Sequence, residues 1–284
     1  MRRILPFLAL AGFAACPACE PNQTHVDEHS AYEAGIAAPL ACVPNLDGVI
    51  DSNELAPVLG VGVQYLVSPA GESRPVNVAG GQDAQGHLVW DFGTDYADDQ
   101  VATIAASSLQ GKWYSGSFPN GQFAAPFDAG DTVEAVYSQD DKGLYLQGLA
   151  STQQNPPEGQ TLYVYESPVT LYVFPLQPGT TWKSVGVVRQ QTLRGVTPYD
   201  GQDEYDGTDV ATGELVLPAY QFQQAHRLSF VVTATPSAGA QLVTRQDSYL
   251  SECFGEVARA TSLSNETSDD FTTAAEVRRF TPQQ

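Results

Sequence analysis

Oxygen-bearing side chains crowd around Gly48, where Asn45, Asp47, Asp51 and Glu54 alternate with the backbone carbonyl of Val49. Oxygens spaced this way are the donors that calcium takes, six to eight at a time. Left without metal, the same residues make a tight Asp-Gly turn whose acids are solvated or cap a short helix at Asn53, Glu54 and Leu55. Histidines are few. His25 and His29 would share one face of a helix and could hold a metal, but they fall in a polar stretch that reads as a solvated tether. His87 and His226 stand near strand starts, and His226 could meet Asp247 or Glu252 across neighbouring strands, as a surface cross-strand pair. The acidic pairs Asp98-Asp99, Asp140-Asp141 and Asp269-Asp270 read as solvated turn residues, since a glycosidase needs two carboxylates facing each other across a sugar. There is no Gly-x-Ser-x-Gly elbow, no glycine-rich loop opening a helix and no cysteine placed as a nucleophile. No catalytic residue is assigned.

The aromatics offer a different chemistry. Tyr163, Tyr165, Tyr172, Phe174 and Trp182 lie in residues 161–182, with Phe222 and Phe230 further on. On a curved antiparallel sheet such rings could enclose a small apolar ligand, or fill the core. The elements that must carry them read as strands. Residues 162–165 and 169–174 alternate, are separated by Glu166, Ser167 and Pro168, and end at Pro175 and a Pro178-Gly179 turn. Residues 131–138 and 143–151 make a hairpin around the turn at 139–143. Further strands are expected at 61–67, 87–92, 183–194, 213–217, 227–235, 240–250, 256–263 and 274–281. Residues 93–130, richer in Gly, Ser, Pro and Asp, are expected to carry short or edge strands, and the acidic residues 201–212 read as a connecting loop. Helical periodicity never exceeds about two turns. The expected fold class is therefore all-β, a curved antiparallel sheet or half-barrel or sandwich, with a short irregular N-terminal region.

Composition agrees with a folded, exported domain. Hydrophobic residues make up 42% of the chain, enough for a core, and Lys+Arg 13 against Asp+Glu 33 gives a net charge of −20. Such a surface repels phosphate backbones, which excludes nucleic acid as a partner. Arg2 and Arg3 precede a compact apolar run, residues 4–15, too short to span a bilayer, so residues 1–15 read as a signal peptide. Residues 16–40 read as a tether and 41–284 as a single β-rich domain. Of the four cysteines, Cys16 and Cys19 fall in the tether, and Cys42 and Cys253 remain for a disulfide across the domain.

Three resemblances add to this reading. Phe13-Ala14-Ala15-Cys16 resembles the bacterial lipoprotein signal, which implies lipidation of Cys16 and anchoring to the outer membrane, or secretion if the cysteine is not lipidated. Residues 45–54 resemble an EF-hand or dockerin calcium loop, with Asn45, Asp47, Val49, Asp51 and Glu54 at ligand positions and Val43 where the first aspartate belongs. The segments Phe174-Pro175-Leu176 with Gly179 and Trp182, Gly213 to Pro218 with Phe222, Tyr249 to Arg259 and Ala274 to Phe280 resemble uncharacterised β-rich lipoproteins of the bacterial cell envelope. That likeness implies a β fold and no particular activity. The expected function is a non-enzymatic envelope protein with a binding or structural role, holding an apolar ligand or a partner segment and touching the membrane through its lipid. A calcium-dependent interaction module at residues 45–54 and a hydrolase with a dispersed site remain the alternatives, and no cofactor other than calcium is expected.

Overall fold

A computed structural model describes residues 42–282. The signal peptide, Cys16 and the tether with His25 and His29 lie outside the described residues. Fifteen strands carry the fold: β1 Gly62–Val67, β2 Arg74–Pro75, β3 Gly81–Gln82, β4 Leu88–Asp91, β5 Gln100–Ala105, β6 Phe123–Pro126, β7 Val133–Gln139, β8 Gly143–Ser151, β9 Leu162–Val173, β10 Thr181–Leu193, β11 Val196–Val216, β12 Gln221–Pro236, β13 Leu242–Ser251, β14 Gly255–Ser262 and β15 Thr273–Thr281. From β6 to β15 each strand pairs antiparallel with the next, and β15 then pairs with β1 and β1 with β5. The two ends of this path meet through Ser107 and Ala124, whose amides and carbonyls exchange hydrogen bonds of 2.7 and 2.9 Å. The chain is therefore all-β, and its antiparallel sheet curves into a nearly closed barrel. Closure removes the open edges that a long sheet would otherwise present to other chains.

The acids of residues 201–212 do not make a loop; they lie within β11, the longest strand. Each has a partner that a loop would not supply. Asp203 accepts hydrogen bonds from the Tyr163 and Tyr165 hydroxyls, Glu204 and Asp206 pair with Lys183 on β10, and Asp209 binds His226 on β12. Gly207 is needed where it stands, because a Cβ there would lie 2.4 Å from the Trp182 indole. The two alternating runs around Pro168 likewise form one strand, β9. Its pairing with β8 skips from Val164 to Val169, so Pro168 sits where no ladder donor is required. The β9–β10 seam has one backbone pair, Leu162 with Thr192, and side chains support the rest: Gln191 Oε1 accepts from the Val164 amide and Ser184 Oγ from the Thr170 amide.

Two layers cover the outside of the barrel. Val78, Trp90 and Phe92 pack on Tyr249, Val257, Ala258 and Ala260, and Tyr114 with Phe118 packs on Ala124, Val136 and Ala150. Under the second layer Glu134 is bound by Lys112 Nζ at 2.7 and 2.9 Å and by the Tyr114 hydroxyl. Under the first, the Asp99 side chain is only 3% exposed and lies against Arg279 and Arg74, whereas the sequence suggests a solvated turn residue. Asp140, by contrast, does cap the amides of Lys142 and Gly143 in the expected hairpin turn.

Candidate functional site

Inside the barrel the inward residues leave a cavity of about 720 Å³, within the range of about 300–1,000 Å³ usual for small-molecule sites. Strand alternation builds its wall. Val63 and Tyr65 come from β1, Ile104 from β5, Phe123 from β6, Tyr137 from β7, and Leu144 and Leu146 from β8. Leu171 and Tyr172 of β9, Phe230 and Val232 of β12 and Leu250 of β13 continue the apolar wall. Residues 55–58 lie along it, and the segment that leads into them, from Cys42 to Leu46, is fixed in two ways. Cys42 is disulfide-bonded to Cys253, with Cα atoms 5.6 Å apart, and the Asn45 and Leu46 amides donate to the buried Glu252 carboxylate at 2.7 and 2.9 Å. A link across so long a loop typically stabilises by roughly 2–4 kcal/mol. Val58, Val61 and Phe254 line the cavity and are each about half exposed or more, so the cavity meets solvent at an apolar lip.

The polar part of the wall comes from β13, β14 and β15. Glu256 Oε2 accepts from Arg259 Nε and Nη2 at 3.0 and 2.9 Å and from Ser248 Oγ at 2.8 Å, and Gln246 donates to Ser248. Arg278 Nε donates to Glu276 at 2.6 Å, and its Nη2 to the Phe127 carbonyl at 2.9 Å. Tyr65 donates to the Glu256 carbonyl at 2.7 Å. Burial pushes the Tyr65, Tyr137 and Tyr172 phenols above their ordinary range, with Glu256 adding to it and Arg259 opposing it. All three are neutral donors at physiological pH.

Of the five ring residues singled out in the sequence, Tyr172 lines the cavity. Tyr163 and Tyr165 pack with Leu146, Val169 and Val188, and both hydroxyls bind Asp203, at 2.7 and 2.6 Å. Phe174 and Trp182 join Ile50, Leu176, Leu228 and Leu250, with Trp182 edge-on to Phe230 at 5.7 Å. Phe230 lines the cavity, whereas Phe222 packs in the outer layer. Arg259, Glu256, Arg278 and Glu276 were not assigned from sequence as site residues. Their signal was charge inside otherwise apolar strand patterns, in the Tyr249 to Arg259 and Ala274 to Phe280 segments.

In residues 45–54 the side-chain oxygens turn onto the local backbone. Asn45 Oδ1 accepts from the Asp47 amide and Asp47 Oδ1 from the Val49 amide, both at 2.9 Å. Glu54 accepts from the Asp51 amide at 2.8 Å; burial raises its carboxyl above the ordinary range, and the Asp51 bond opposes that. Ile50 exchanges two 2.9 Å backbone bonds with Leu176 and is fully buried. Among the described residues no group of three or more His, Cys, Asp or Glu side chains could hold a metal ion. His226 pairs with neither Asp247 nor Glu252. It is buried, with Nδ1 2.8 Å from Asp209 Oδ2, and Arg227 holds Asp247.

No protein-family model, curated protein or solved structure matches this chain.

Proposed function

We propose that this chain is an exported binding protein whose barrel lumen holds a small apolar or amphipathic ligand. The observation that carries the reading is the lumen itself: a cavity of about 720 Å³ with a mostly hydrocarbon wall, a few convergent polar groups and an apolar lip. An apolar ligand gains roughly 25 cal/mol for each Å² of hydrocarbon it removes from water, and a walled lumen removes most of a ligand's surface at once. In the same reading Cys16 carries a lipid that keeps the domain at the cell envelope, and no reaction is assigned.

The neutral dye N-phenyl-1-naphthylamine is expected to bind the full chain with a blue-shifted emission. Val232→Trp, which fills the lumen from β12, should weaken binding at least tenfold. Val185→Trp, on an exposed position of β10, should leave it unchanged. Equal binding by all three proteins would place the dye outside the lumen and remove the support for this reading.

A further inference from the structure

The register of β14 and β15 sets Arg259 and Arg278 directly opposite each other, and both line the cavity. Like charges facing each other across a strand pair are unfavourable, more so in a water-poor interior where charge is weakly screened. Four carboxylates share the lining, Glu54, Asp128, Glu256 and Glu276, and the two that pair directly with the arginines, Glu256 and Glu276, stand apart. Glu256 is level with Leu250 of β13, and Glu276 is opposite Thr261, roughly 15 Å further along β14 at ordinary strand rise. The lumen thus carries two adjacent guanidiniums, each paired with one carboxylate on its outer side.

Each guanidinium keeps donors in reserve. Arg259 spends Nε and Nη2 on Glu256, and Arg278 spends Nε on Glu276 and Nη2 on Phe127. The Nη1 of each makes no hydrogen bond among the described residues, and arginine cannot shed its proton to become neutral. Tyr137 and Tyr172 also line the lumen, and their hydroxyls make no hydrogen bond among the described residues.

We propose that the lumen is a site for a single-chain amphiphile with an anionic head, the head taken between Arg259 and Arg278 and the chain laid along Ile104, Leu144, Leu171 and Phe230. The assignment rests on the lumen being a ligand site and adds the head group that the site reads. A carboxylate or phosphate held between the two arginines would accept from the remaining Nη1 of each guanidinium, and such charge-assisted hydrogen bonds are roughly twice as strong as neutral ones. The Tyr137 and Tyr172 phenols, which also line the lumen, add neutral donors.

Competition against bound N-phenyl-1-naphthylamine on the full chain tests this with dodecanoate, dodecyl phosphate and dodecanol. The expected result is that both anions displace the dye at a concentration at least tenfold lower than the alcohol does. Which anion is the tighter then separates a fatty-acid-like from a phospholipid-like head. In the R259Q/R278Q double variant the anions should lose that advantage while dodecanol is unaffected, and R259K/R278K should retain part of it. Equal displacement by all three compounds in the unmodified protein overturns the head-group assignment and leaves the apolar lumen standing. A protein that does not bind the dye overturns both. The comparison in the unmodified protein decides the matter even if a variant fails to fold.

Discussion

Replacing Arg227 with methionine is expected to cost about 3–5 kcal/mol of stability at pH 8 and clearly less at pH 5. Arg227 and Asp247 lie on the neighbouring strands β12 and β13 beneath the outer layer, with Nε donating to Asp247 Oδ1 at 2.6 Å and Asp247 fully buried. Burial pushes the Asp247 carboxyl up to about 6, even though Arg227 acts to lower it. A solvated aspartate titrates near 3.9, so this carboxyl is harder to ionise folded than unfolded. Its contribution to stability is full below pH about 4 and is lost as pH rises through its folded value. Without Arg227 that value climbs further, and the burial penalty above it grows. Urea unfolding at the two pH values measures the effect. An Arg227→Met protein with unchanged stability, or with the same loss at both pH values, would contradict the account. Pairing the change with Asp247→Leu should recover most of the loss, because removing both charges leaves neither partner ionised in the interior.

Gly148→Ala should be equally damaging for a steric reason. Gly148 sits at an irregularity on both sides of β8, where the ladder skips a residue towards β7 and towards β9, and its φ is +152°. A Cβ there would lie 2.0 Å from the Tyr163 carbonyl oxygen and 2.8 Å from the Phe118 ring. Neither the backbone of β9 nor a buried ring can move aside cheaply, so the loss belongs to the exceptional class above about 4 kcal/mol. For a domain of this size that is a fall in Tm of roughly 10 °C or more. Leu144 and Leu146 of the same strand line the lumen, so dye binding should weaken as well. Gly81→Ala, with no atom within 4 Å and no positive φ, is the control and should move Tm by less than about 1 °C, as surface substitutions usually do. A Gly148→Ala protein that melts with the control would show that β8 can be built without the bulge.

Much of the architecture was legible because hydrophobic alternation writes strands directly into sequence. The hairpin of β7 and β8, the strands β12 to β15 and the all-β class follow from it. Cys42 and Cys253 were legible as the two cysteines left inside the domain. Other features were masked by chemistry that only pairing reveals. Asp203, Glu204, Asp206 and Asp209 read as solvated loop acids because their partners Tyr163, Lys183 and His226 lie on other strands. Asp99 read as a turn residue because Arg279 is 180 positions away. The polar wall of the lumen was hidden for the same reason. Glu256, Arg259, Glu276 and Arg278 become one site only when β14 and β15 register against each other. The aromatic stretch was visible as strand, but which of its rings face the lumen depends on the β8 bulge and the course of β9. Tyr172 turns inward to the cavity, while Phe174, two residues on, packs beside Leu176 and Ile50.

Native mass spectrometry of the full chain, purified from cells and exchanged into volatile buffer, reads directly whether the lumen is occupied. A second species heavier by a few hundred daltons is expected, released by organic solvent and absent from the Val232→Trp variant. A single apo mass that stays unchanged after incubation with dodecanoate, dodecyl phosphate and dodecanol would contradict it, and the lumen would then be a packing void.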